Sequence, residues 1–190
     1  MAQRITSGEA ADVAILTRAG IDTLVKAGKI APKSDATLVS ANMALAVKTG
    51  APKPDISTPE AFKRTLLAAK SIATGDPAAG GASSVYLSKL LEQMGISEQV
   101  KGKLKIAPEG RYPADLVAAG DAEIGAMQTS ELLPGTELVG VFPGELNNVT
   151  VFAVGLTTNA SDASAAGTLS RFLESPEAAA VYKAKGLYPN

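Results

Sequence analysis

Short apolar runs rich in Val, Ile, Leu and Ala alternate along this sequence with segments whose apolar residues recur at helical spacing, and glycine or proline marks most junctions. That alternation restricts the chain to the α/β class, with a mostly parallel sheet covered by helices. A strand is expected at 12–16, followed by a helix with Ile21, Leu24 and Val25 on its buried face and Gly28 at its end. An extended run at 38–47 leads into the turn-rich segment 49–55, which reads as a crossing between two lobes. Thr58 then caps a helix with Pro59 at its first position and Phe62, Leu66 and Leu67 along its apolar stripe. Further strands are expected at 70–74, 103–107, 123–127, 137–142 and 149–156. Helices are expected after Ser83, after Pro113, near Ser161 and at Ser175-Pro176-Glu177, the last ending at Gly186.

The residues that are missing narrow the chemistry. The chain has no Cys and no His, so thiolate nucleophiles, the usual zinc sites and imidazole bases are excluded together. A lysine-assisted serine needs an S-x-x-K spacing, which occurs nowhere. No catalytic residue, metal or cofactor is expected. Eighteen basic against nineteen acidic residues leave a formal charge of −1, which gives no electrostatic footprint for nucleic acid or an acidic membrane surface. The 190 residues suffice for one domain or two small lobes. No apolar run approaches the ~20 residues needed to span a bilayer, and the first residues carry no secretion-signal core.

The segment Gly75-Asp-Pro-Ala-Ala-Gly-Gly-Ala-Ser-Ser84 joins an expected strand to a helix with Val85, Leu87, Leu90, Leu91 and Met94 as its apolar face. Free amides at such a helix start, with the positive end of the dipole, can hold an anion without a charged side chain. This is no Walker A loop, because Gly81 stands where the phosphate-binding lysine would be. On spacing alone Ser83 reads as the helix cap, the ordinary role of a serine there.

At Gly8-Glu-Ala-Ala-Asp-Val-Ala-Ile-Leu16, Gly50-Ala-Pro-Lys-Pro-Asp-Ile-Ser-Thr-Pro59 and Gly75-Asp-Pro-Ala-Ala-Gly-Gly-Ala-Ser-Ser-Val-Tyr86, the chain resembles molybdate-type (type II) periplasmic substrate-binding proteins of ABC transporters. The likeness continues through Gly125-Ala-Met-Gln-Thr-Ser-Glu-Leu132 to Phe172-Leu-Glu-Ser-Pro-Glu-Ala-Ala-Ala180. It implies two α/β lobes joined by two crossing segments with an anion in the cleft between them: lobe I from 1–46 and 143–190, lobe II from 47–142. It also implies a periplasmic monomer that serves an ABC permease in the membrane. Members of that family carry about one more β-α-β unit, roughly 30 residues, ahead of the position matching Met1. Residues 1–7 read as the tail of a helix, so lobe I is expected to lack its opening unit.

The resemblance also assigns a site. The matching turn donates amides to the bound oxyanion, which selects Ala82, Ser83 and Ser84. The loop before the short helix supplies Gly110 and Arg111. Gln128 stands where typical molybdate binders have tyrosine, and its shorter side chain with both donors and an acceptor suits a carboxylate as well as an oxyanion. Arg111 has the planar fork that matches a carboxylate bidentately. The expectation is therefore a receptor for a small anion, with an isomerase of small polycarboxylates on the same scaffold, like aconitate isomerase, as the alternative. For that alternative Glu109, Glu131 or Lys105 could serve as the base. A stand-alone cytoplasmic anion sensor is a third reading.

Overall fold

The computed structural model describes residues 1–190. Its elements follow in the order α1 (Ala2–Thr6), β1 (Val13–Thr17), α2 (Arg18–Lys26), β2 (Ala36–Lys48), α3 (Pro59–Ala68), β3 (Ile72–Thr74), α4 (Ala82–Gln93) and α5 (Ser97–Val100). Then come β4 (Leu104–Ile106), α6 (Pro113–Ala119), β5 (Ile124–Gln128), β6 (Thr136–Val141), β7 (Val149–Leu156), α7 (Ala163–Leu173), α8 (Pro176–Ala184) and β8 (Tyr188–Pro189). The chain divides into two compact units, Met1–Ala41 with Thr150–Asn190, and Asn42–Val149. It passes from one to the other within β2 and returns at the start of β7.

In the continuous unit, the second half of β2 pairs with β5 on one edge, Met43 opposite Gln128, and with β6 on the other, Ala44 opposite Val141. β5 continues to β3, and β3 to β4. Alternation along β2 sends Met43, Leu45 and Val47 into a core with Phe62 and Leu66 of α3 and Leu87, Leu90 and Leu91 of α4. Ala46 points the other way, into a cluster with Met127 of β5 and Ala114 and Val117 of α6. Both faces are covered, which is why these strands read as continuous apolar runs. Phe62 and Phe142 anchor the larger core with ring centroids 4.4 Å apart. Thr58 caps α3 as expected, its hydroxyl accepting from the amide of Ala61 at 3.1 Å.

The discontinuous unit is built on β7, which pairs with β1 on one side and neighbours β2 on the other, while β8 joins β2 at Val39 and Ser40. Ile21 and Leu24 of α2 pack with Ile5, Ala14, Ile30 and Ala153. Val25 does not share that face; it is 43% exposed. α7 and α8 contribute Leu173 and Tyr182 against Leu38, Val39 and Val154.

The expectation of a mostly parallel sheet is corrected. β3–β4 and β3–β5 are parallel, whereas β1–β7, β2–β5, β2–β6 and β2–β8 are antiparallel. β2 enters the continuous unit from the other one and therefore runs against the strands that begin inside it. Alternation of strand and helix carries no sign of direction.

Candidate functional site

β3 and its parallel neighbour β4 both end at one side of the continuous unit, where ligands gather in open α/β sheets. Past β3 the chain makes a single 3-10 turn, Pro77–Ala79, held by Asp76, whose Oδ1 accepts from the amide of Ala78 at 2.8 Å. Gly80 reverses the chain at φ 78°, a left-handed conformation that favours glycine. Gly81 is the N-cap of α4 and offers no side chain to cap it. The cap role expected of Ser83 is thereby corrected, since Ser83 lies inside the first turn. A Cβ on Gly81 would stand 3.1 Å from Ser84 Oγ, a tight approach that the glycine avoids.

The first helical bond of α4 is Val85 N–H to the carbonyl of Gly81 at 3.0 Å. The amides of Ala82, Ser83 and Ser84 find no acceptor in the chain. Three donors thus remain at the positive end of a twelve-residue helix. The two hydroxyls beside them are engaged inward. Ser84 Oγ lies 3.0 Å from the carbonyl of Gly81 and 3.2 Å from that of Asp76, and Ser83 Oγ donates to Glu131 Oε1 at 3.3 Å.

The opposite wall comes from the loop between β4 and α6. The amide of Ala107 bonds the carbonyl of Thr74 at 2.8 Å, tying this loop to β3. Gly110 is left-handed at φ 79°, and the Arg111 amide closes a turn to the carbonyl of Pro108 at 3.0 Å. The Arg111 side chain is about half exposed and stands 3.9 Å from Asp115, which itself accepts from the amide of Tyr112 at 2.7 Å. Asp115 is therefore a loose partner, and the guanidinium keeps donors to spare.

Between these walls lies an open cavity of ≈ 690 Å³ lined by Ser83, Ser84, Gly110, Arg111 and Glu131 among others. Four of the six residues singled out in the sequence are thus brought together. Ala82 lies at the first position of α4, just outside the lining, and can reach it only through its amide. Gln128 does not line the cavity; its side chain is buried at the end of β5, and its amide donates to Glu131 Oε2 at 2.9 Å. Glu131 is the residue that the sequence offered only as one possible base. Burial pushes its carboxyl above the usual carboxylate range, while the Gln128 amide and the Ser83 hydroxyl pull it back down. A second cavity, of ≈ 350 Å³, is lined by Ala51, Pro52, Lys53 and Glu123 among others. Its polar groups are already engaged, Lys53 with Glu137 at 3.5 Å and Glu123 with the amide of Lys70 at 2.6 Å.

Residues 1–188 match the family model described as bacterial extracellular solute-binding protein. The chain belongs to that family. An aconitate isomerase from Pseudomonas sp. is 36% identical to it over 189 residues, which is 98% of this chain and 70% of the relative. Among solved structures, the periplasmic molybdate-binding protein of Azotobacter vinelandii superposes with a TM-score of 0.72 at 17% identity, covering 98% of this chain and 81% of that one. The sulfate-binding protein SubI of Mycobacterium tuberculosis gives 0.70 at 17% identity, covering 99% and 72%. These solute-binding proteins share the fold with this chain, which is the α/β fold of type II periplasmic binding proteins. No helix is long and apolar enough to cross a membrane.

Proposed function

We propose that this solute-binding protein is the substrate-binding component of an ABC importer, working in the periplasm, and that it holds a small anion at the start of α4. The observation that carries the reading is the set of three unpaired amides at Ala82, Ser83 and Ser84, beside an open cavity that Ser83, Ser84 and Arg111 line. Amide donors at a helix start bind an anion with little reorganisation, and a guanidinium opposite adds a bidentate contact suited to a carboxylate. Organic acids are the preferred ligands over molybdate-like oxyanions. The support is twofold: Arg111 is present, and the relative named for a carboxylate substrate is the more similar in sequence, at 36% against 17% for the molybdate binder. The partner is a permease in the membrane, which receives the loaded receptor.

Calorimetric titration with molybdate, tungstate, sulfate and a set of di- and tricarboxylates tests this. Tight binding of at least one organic acid, unchanged after long incubation, is the expected result. Absence of heat with every anion, from a protein with a cooperative melting transition, removes the proposal.

A second reading has its own observation. A partly buried carboxylate with a raised pKa, Glu131, lines the same cavity and could take a proton from a carbon beside a bound carboxylate. The chain would then be an isomerase of small polycarboxylates. Proton NMR of trans-aconitate in D₂O with the protein decides between the two, since isomerisation or deuterium incorporation means turnover, and an unchanged spectrum leaves the receptor.

A further inference from the structure

Donors and acceptors around the cavity do not balance for a bare anion. The amides of Ala82, Ser83 and Ser84 can donate, but Ser84 Oγ is turned toward the carbonyls of Gly81 and Asp76, and Ser83 Oγ toward Glu131. What these two side chains leave for a ligand is lone pairs rather than hydrogens. Glu131 accepts through both oxygens, yet each carboxylate oxygen has a second acceptor site, and the residue lines the cavity. The other charged groups lining the cavity are Asp76 on the turn before α4, and Glu109 and Arg111 on the loop before α6; Asp115 stands behind Arg111. Arg111 is thus the one cation set against three carboxylates in the lining.

We propose that Glu131 is a specificity-determining residue of this pocket, selecting small organic acids that bring a hydrogen of their own, as a hydroxyl or a retained acid proton, over fully ionised anions that bring none. The proposal rests on the anion-binding reading above and narrows its ligand class. A hydroxy acid places its carboxylate on the amides of α4 and its hydroxyl on Glu131, so each side meets its complement. An anion without hydrogens sets lone pairs against the Glu131 carboxylate, and the repulsion is unrelieved in a partly desolvated site. Below the raised pKa of Glu131 the carboxyl carries the hydrogen itself, and the discrimination fades.

Matched ligands test this: malate against succinate and citrate against tricarballylate, each pair differing by one hydroxyl. They are titrated calorimetrically into the parent and into Glu131→Gln. At about pH 8, where ordinary carboxylates are ionised, the parent should prefer each hydroxy acid by about tenfold or more, and the preference should fall below about threefold in Glu131→Gln. Should that variant fail to fold, Glu131→Ala, which also removes the carboxylate, is titrated in its place and should lose the preference likewise. Equal affinities within each pair in the parent at about pH 8, or a preference kept intact by a folded variant without the Glu131 carboxylate, overturns the role of Glu131. Failure of both proteins to bind any of the four acids instead removes the anion-binding reading on which it rests.

Discussion

Replacing Ala82 with proline removes a single donor from the start of α4 and disturbs little else. Ala82 is the first residue of the helix, and its amide has no acceptor in the chain. Proline is at home at this position, where the missing N–H breaks no intrahelical bond. The residue before a proline must be extended, and Gly81 already is, with φ −63° and ψ 134°. Ala82→Pro should therefore leave stability unchanged or raise it by ~0.4–1 kcal/mol, through loss of freedom in the unfolded chain. Binding should suffer by one hydrogen bond to a charged group, ~1.5–3 kcal/mol, or a roughly 10- to 150-fold rise in Kd. The neighbouring change Ser84→Pro is a poorer probe. It also deletes the hydroxyl that holds Gly81 and Asp76, and it asks the helical Ser83 to leave the α region. Thermal melting and calorimetric titration on the same preparations separate the two quantities. A variant that melts at or above the parent temperature and binds its best ligand as tightly as the parent would show that the amide of Ala82 does not touch the anion.

Arg111→Ala should weaken a carboxylate held by a charge-assisted fork by ~1.5–3 kcal/mol and leave an oxyanion held by neutral donors nearly unaffected; equal losses for both, by calorimetry, would count against a carboxylate contact. Gly125→Ala should destabilise by ~1–3 kcal/mol in a denaturant titration, because the new Cβ would meet Val117 Cγ2 at 2.8 Å and crowd the Met127 side chain, and a neutral result would mean α6 can shift away. Asp12 is held below its usual range by hydrogen bonds from the Ser161 amide and hydroxyl, so it stabilises the fold above its unfolded pKa, ~3.9, and that contribution is lost as the pH falls through the lower folded value. Asp12→Asn should accordingly melt below the parent at neutral pH, and the gap should close in acid; a gap that persists in acid refutes the assignment.

Some of this could be read from residue order, and the reasons differ from feature to feature. Thr58-Pro59 and Ser175-Pro176 announce the starts of α3 and α8 because a side-chain acceptor followed by proline has few other uses. β8 and α5, of two and four residues, are too short to carry a period and were not legible. Strand direction is not legible in the sequence, because β2 belongs to both units and no local pattern records where a strand came from. At the site, the glycines and serines of residues 75–84 allow a helix cap as readily as an anion site, and only the family resemblance favours the anion. The link from Ser83 to Glu131, 48 residues away, depends on how the end of β5 lies against α4. No spacing expresses that, and the same sequence would have allowed Ser83 to cap.

The discontinuous unit is sewn together by pairings between the two ends of the sequence: β1 with β7, Val13 opposite Leu156, and β2 with β8, Val39 opposite Pro189. On the ribosome this imposes an order. Residues 42–149 can collapse around Phe62 and Phe142 while the rest is still being made, but β1 waits for a partner some 140 residues later, copied from the register of Val13 on Leu156. Until β7 emerges, Ile15 and its neighbours present an unpaired strand to whatever is nearby. Synthesis at roughly 5–20 residues per second makes that interval about 7–30 seconds long. The nascent chain is thus exposed to misassembly at β1, and a holdase that masks extended apolar segments should act there.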